Sequence, residues 1–190
     1  HIAVNVMSVL SNAETLIRSC VKEGIKMIVV GAGLPLKLPA MVEDTTVNLV
    51  PIVSSGRAAT LILRTWQKRY GRTAQAVVLE GPLAGGHLGF SEEELAHAED
   101  FSLERLVPEV IEALKPFEDA FGVKIPVIAA GGIYTGADIA RMLSLGAAGV
   151  QMATRFVCTK ECGVSDAFKQ AYLDATEDDI VIIKSPVGIP

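Results

Sequence analysis

Residues 80–89 read EGPLAGGHLG, a glycine-dense segment carrying His87, one of three histidines in the 190-residue chain. The segment follows directly on the apolar run Ala76, Val77, Val78 and Leu79. An imidazole titrates near neutral pH, so it is the side chain best matched to moving a proton there. Glycines around it remove bulk, and the loop then offers backbone amides and one imidazole to whatever lies above the strand end. That is the make-up of a cofactor or substrate loop. The structural alternatives are a histidine satisfied by its own surroundings and, for Gly85 and Gly86, a flexible turn.

A second cluster combines Ile128–Gly132 (IAAGG) with Val150–Phe156 (VQMATRF), each following or closing an apolar strand pattern. Gly131 and Gly132 clear side chains away so that successive amides can approach an anion. Thr135 reads as a helix N-cap with Asp138 three residues on, a variant of the capping box that starts a helix just beyond the glycines. Loops after the last two strands of a (β/α)₈ barrel commonly join in a phosphate site. The plainer reading of Gly131-Gly132 is a tight turn.

These segments need a scaffold, and the chain alternates short strands with helices. Ile2–Met7, Met27–Val30, Asn48–Val53, Ala76–Leu79, Pro126–Ala129 and Ala148–Met152 are short apolar runs, mostly continuous, as parallel strands covered on both faces should be. Helical patterns fall between them at Ala13–Glu23 after the cap candidate Asn12, at Arg57–Arg69, over Ser102–Phe121, and at Ala137–Leu145, which Gly146 ends. The alternation predicts an α/β fold with right-handed crossovers and a parallel sheet. Pro108 and Pro116 predict a short first turn followed by a helix kinked or broken near Lys115. Phe90–Asp100, rich in glutamate, reads as a solvated acidic excursion.

Composition sets the outer limits. Half the residues are hydrophobic, enough for a large core, yet no apolar run approaches eighteen residues, which argues against a membrane span. A net charge of −5 without a basic stripe gives no sign of a nucleic-acid or anionic-membrane partner. Cys20, Cys158 and Cys162 form no even framework and no signal-peptide pattern is present, so a reducing cytoplasm is expected. Cys158 and Cys162 are spaced as neighbours on a helix face, but no second pair completes a zinc site, and no metal is expected. No low-complexity linker divides residues 1–190, which read as one domain.

Five segments in order resemble one family: NVM at Asn5–Met7, GAGLP at Gly31–Pro35, EGPLAGGHLG, IPVIAAGGI at Ile125–Ile133 and GVQMATRF at Gly149–Phe156. Together they are similar to the nitronate monooxygenases, once called 2-nitropropane dioxygenases, a family that also holds flavin-dependent enoyl-ACP reductases sharing the GGH segment. The resemblance implies an FMN-binding TIM (β/α)₈ barrel. The six strands here would correspond to the family's third onward, so the first two strands are expected to be absent from the chain. A barrel lacking two staves has open edges, and poor solubility or homo-oligomers are expected.

Roles follow from the resemblance residue by residue. His87 would sit beside the flavin and act on the substrate's acidic α-carbon or orient its nitro group. Asn5 resembles a flavin-bonding asparagine, or is a strand-end polar group tying loop backbone. Glu80 takes a position that faces the isoalloxazine, or is a cap or ion-pair residue. Gly85 and Gly86 would let the loop pack on the ring. Gly131, Gly132, Gln151, Met152, Ala153 and Thr154 resemble the phosphate-binding positions, although Ala153 stands where the family usually has glycine. The implied substrates are a small nitronate or nitroalkane and dioxygen, giving a carbonyl compound and nitrite. Enoyl-ACP reduction is the competing enzymatic reading, and a cofactor-free fragment or phosphate-binding scaffold the non-enzymatic one.

Overall fold

Six apolar runs become six strands in the computed structural model, which describes residues 2–183 and 185. They are β1 (Val4–Met7), β2 (Met27–Gly31), β3 (Asn48–Val53), β4 (Val77–Glu80), β5 (Val127–Ala130) and β6 (Gly149–Gln151). All neighbours pair in parallel, in the order β1-β2-β3-β4-β5-β6. The six-stranded parallel α/β sheet agrees with the alternation in the sequence. Each expected strand lies within two residues of its observed bounds. Among the described residues β1 and β6 are the sheet edges, each paired on one side only.

The helices are α1 (Ala13–Lys22), α2 (Leu38–Met41), α3 (Gly56–Tyr70), α4 (Glu92–Leu95), α5 (Leu103–Phe121), α6 (Gly136–Ser144), α7 (Thr154–Val157) and α8 (Asp166–Asp174). None of them is long and apolar enough to cross a membrane. The main core lies between the helices and one sheet face: Val6, Ile28, Leu49, Val77, Leu79 and Val127 pack with Ile62, Trp66, Val107 and Leu114. Continuous burial explains why these strands do not alternate in polarity. The opposite face gathers Val50, Val78 and Ala130 with half-buried Val29, Ile52 and Ile128. Residues on that second face, at the C-terminal ends of the strands, look toward the loops of interest.

Four expectations need correction. α5 runs continuously from Leu103 to Phe121 through both Pro108 and Pro116, so of the expected short first turn and the kink or break near Lys115, the separate first turn and the break are not found. The prolines are exposed and eight residues apart, so the carbonyls they orphan, on Glu104 and Glu112, stay toward water. The buried stripe of Leu106, Val107, Val110, Leu114 and Phe117 keeps the helix in place. Each such side chain contributes roughly 1.5–3 kcal/mol against about 3 kcal/mol per interior proline. Asn12 makes no capping bond: its backbone is not extended (φ −105°, ψ 12°), and the Ala13 N–H is taken by the Leu10 carbonyl at 3.1 Å.

The spacing of Cys158 and Cys162 does not place them on a helix face, because α7 ends at Val157; both thiols are free. Phe90–Asp100 is less solvated than its charge suggests. Phe90 and Leu95 are core residues, and Phe90 meets Phe101 edge-on at 5.6 Å between ring centres. Ser91 and Glu94 close a capping box around α4, whose three glutamates favour the positive helix start.

Candidate functional site

The loops that leave β3, β4, β5 and β6 meet at the C-terminal end of the sheet, where ligands of parallel α/β folds are held. The β4 loop is central. Its first half is pressed onto the β5 loop: the Gly81 N–H donates to the Ala130 carbonyl at 2.9 Å, and Ala84 lies directly over Gly131. A Cβ built on Gly131 would stand 2.8 Å from the Ala84 nitrogen, and the residue's φ of +100° already disfavours any side chain. Gly132, with φ +69°, is covered in the same way by Leu83. Among the described residues the Gly131 and Gly132 N–H groups find no acceptor. They are therefore available to an anion.

Beyond those glycines the chain turns into α6 through the capping box foreseen in the sequence. The Thr135 hydroxyl accepts from the Asp138 N–H at 3.2 Å, while Asp138 accepts from the Thr135 N–H at 2.8 Å. Hydrogen bonds from the Thr135 hydroxyl and from the Thr135 and Tyr134 amides pull the Asp138 carboxyl down to about 2. The box fixes where the glycine loop ends.

A cavity of about 270 Å³ opens between the β5 and β6 loops. Glu80, Gly85, Gly131, Gly132, Gln151, Met152, Ala153 and Thr154 all line it, so eight of the sequence-derived positions converge. A neighbouring cavity of about 320 Å³ is lined by His87 together with Ser54, Ala58, Ile52, Phe90 and the 32–34 segment. Glu80 borders both. Its half-buried carboxyl is pushed above the usual range by burial, and it accepts no hydrogen bond from the described residues. The Cβ positions of Gly85 and Gly86 would meet nothing within 4 Å, and Gly85 shares its cavity with Glu80. Gly86 lines neither cavity. Asn5 is exposed on the edge strand β1, in register with Val29, and lines neither cavity; it shares Glu80's sheet face three strands away. A further cavity of about 360 Å³ lies behind the same glycines, toward α5 and α6.

Some residues of the site carried no role in the sequence reading. The Ser54 hydroxyl donates to the Gly89 carbonyl at 2.8 Å and so fixes the far end of the His87 loop. Arg155 lies 4.8 Å above the Tyr134 ring and donates to the Tyr134 carbonyl at 3.1 Å, joining the β5 and β6 loops. The serine pair after β3 was the one local hint, since it occupies the strand-end position that Glu80 occupies on β4.

Residues 2–190 match the family described as nitronate monooxygenase. The chain belongs to that family. Its relatives include the (3aS,4S,5R,7aS)-5-hydroxy-7a-methyl-1-oxo-octahydro-1H-indene-4-carboxyl-CoA dehydrogenase of Mycobacterium tuberculosis, 29% identical over 98% of this chain and 46% of that protein. The chain thus spans about half the length of the curated relatives it matches end to end. Among solved structures, FabK from Thermotoga maritima is 32% identical with a TM-score of 0.71, covering 92% of this chain and 48% of that one. A nitroalkane oxidase from Streptomyces ansochromogenes is 27% identical with a TM-score of 0.63, covering 82% and 41%. Within the nitronate monooxygenase family, then, relatives of this chain are oxidoreductases.

Proposed function

We propose that this chain forms the FMN-binding part of a nitronate monooxygenase, acting on alkyl nitronates or nitroalkanes with dioxygen to give a carbonyl compound and nitrite. The observation that carries the reading is Glu80, which borders both the His87 cavity and the amide-lined glycine cavity. The residues fit FMN: unpaired amides at Gly131 and Gly132 suit a terminal phosphate, and the space left by Gly85 suits a flat ring. Gln151, Met152, Ala153 and Thr154 would complete the phosphate cradle, and Gly86 and Asn5 are retained as proposed flavin contacts. The parallel sheet is read as part of a TIM barrel, and residues 1–190 as one domain of it. Three free thiols accord with a cytoplasmic setting.

FMN, when bound, supplies the electron acceptor and passes electrons to dioxygen. The chain's own task is binding and proton handling. His87, half-buried at the cavity wall, holds an imidazole within reach of a small substrate and takes the α-proton of a neutral nitroalkane. The segment around Gly89 and Phe90 anchors that imidazole's loop.

Extraction of the cofactor and oxygen-consumption assays with propyl nitronate test this reading. FMN by mass and nitrite as product are expected; FAD, or a colourless protein with no nitrite formation, would overturn it. A second reading is kept because the FabK likeness exceeds the nitroalkane oxidase likeness, and a relative's name includes a CoA ester. In that case the same cavity would reduce an enoyl thioester. NADH consumption with crotonyl thioester, measured beside propyl nitronate turnover, separates the two.

A further inference from the structure

The N-terminal end of the sheet, opposite the loops around His87, holds a cavity of about 480 Å³. It is walled by Thr45 before β3, by the turn 71–75 before β4 and by Phe121, Val123 and Lys124 before β5. No carboxylate lines it, whereas Arg72 and Lys124 both do, a local excess of positive charge in a chain whose net charge is −5. Arg72 is half-buried. Its guanidinium donates to the Val42 and Val47 carbonyls at 2.7 and 3.0 Å and forms no ion pair among the described residues. Burial lowers its pKa against the opposing pull of Asp44, which is itself taken by Lys26 at 2.9 Å. Lys124 reaches Glu118 at 2.9 Å, and that carboxyl group also accepts from the Ile125 N–H. Both cations therefore keep donors to spare.

Thr73 supplies an independent observation. The residue is 7% exposed, and its hydroxyl is buried with no hydrogen-bond partner among the described residues. Gln75, close by, does not serve it: the Gln75 side chain accepts from the Leu49 N–H at 2.7 Å and donates to the Thr73 carbonyl at 3.4 Å. A buried hydroxyl without a partner is disfavoured, and an acceptor entering the cavity would relieve it after one χ1 rotation.

We propose that this cavity binds a phosphate-type oxyanion, held by Arg72, Lys124 and the Thr73 hydroxyl. Guanidinium, ammonium and hydroxyl donors carried by two separate turns suit a compact anion with several acceptor oxygens. Such an anion would tie the turns before β4 and β5 together, at the end of the sheet away from His87. No step of the reaction proposed above is involved.

Inorganic phosphate is the probe, titrated at pH 7.5 and fixed ionic strength and followed by calorimetry and by the backbone amide resonances of the labelled protein. Saturable binding is expected, with the Thr73 and Lys124 amides among those that shift. Lys124→Met and Thr73→Val should each weaken phosphate about tenfold. Those positions are chosen because Arg72 also ties down the 42–47 segment. In urea without phosphate, Thr73→Val should be at least as stable as the wild type, since it removes an unpaired hydroxyl and nearly keeps the shape. Absence of binding would overturn the proposal, as would an equal response to sodium chloride or unchanged affinity in either variant. Shifts confined to Gly131 and Gly132 would overturn it too, by seating the phosphate at the other end of the sheet. So would a lower urea midpoint for Thr73→Val, which would mean that the hydroxyl is already satisfied.

Discussion

The β4 loop is built on opposite terms at its two ends, although glycine is prominent at both. At the β5 side, Gly131 exists so that two backbones can touch: Ala84 occupies the place where a Cβ would go. At the tip, a Cβ on Gly85 or Gly86 would meet nothing within 4 Å, and their missing side chains leave room. One region is closed and dictates stability. The other is open, and in the proposed function that room belongs to a ligand. The same residue type therefore answers to packing in one place and to vacancy in the other, and substitution should tell them apart.

Gly131→Ala should give the largest effect. It adds a methyl 2.8 Å from the Ala84 nitrogen at a φ of +100°, combining a clash with left-handed strain. A loss of roughly 2–4 kcal/mol is expected in urea unfolding, together with loss of bound flavin. An unchanged midpoint with flavin retained would mean that the β4–β5 contact yields easily. His87→Ala comes next and leaves the fold alone. Turnover of a neutral nitroalkane should fall about a hundredfold while that of a preformed nitronate is largely spared, as initial rates with the two substrates would report. Equal losses on both would point to binding instead of proton transfer.

Those two sites differ in how visible they are from sequence alone. The strands were legible because continuous apolar runs leave no helical period, and the loop residues were legible through five ordered motifs. The unbroken α5 was not, because a proline pattern cannot report that both prolines face water while the opposite stripe is buried. The short helices α2, α4 and α7 have four residues each, too few to show a period. Ser54–Gly89 and Tyr134–Arg155 bridge 35 and 21 residues, contacts with no local signature.

Smaller effects sharpen the contrast. Gly85→Ala should shift unfolding by no more than about 0.5 kcal/mol, since its Cβ enters open space. Flavin affinity, measured by fluorescence titration, should fall further than stability does; equal tolerance of both would mean that the ring lies elsewhere. The smallest effect concerns acid. Asp138 has its folded pKa lowered from 3.8 to about 2, so its contribution is complete above pH 4 and fades as pH falls toward 2. Melting curves of the wild type and Asp138→Asn should be separated at pH 5 and converge toward pH 2; a gap constant with pH would dissociate the capping box from that titration.

The clasp between Ser54 and Gly89 has a consequence for how far the histidine can travel. With Ala84 held on Gly131, Gly89 held by Ser54 and Leu88 resting against the core, only Gly85, Gly86 and His87 are left as a tether. Three residues span about 10 Å when drawn straight, so the imidazole sweeps a small volume however supple its glycines are. Lengthening such a segment adds little closure entropy, roughly 0.6 kcal/mol per doubling, and the fold would hardly register two extra residues. The imidazole would register them at once, because its reach, and not its bonding, is what keeps it in place.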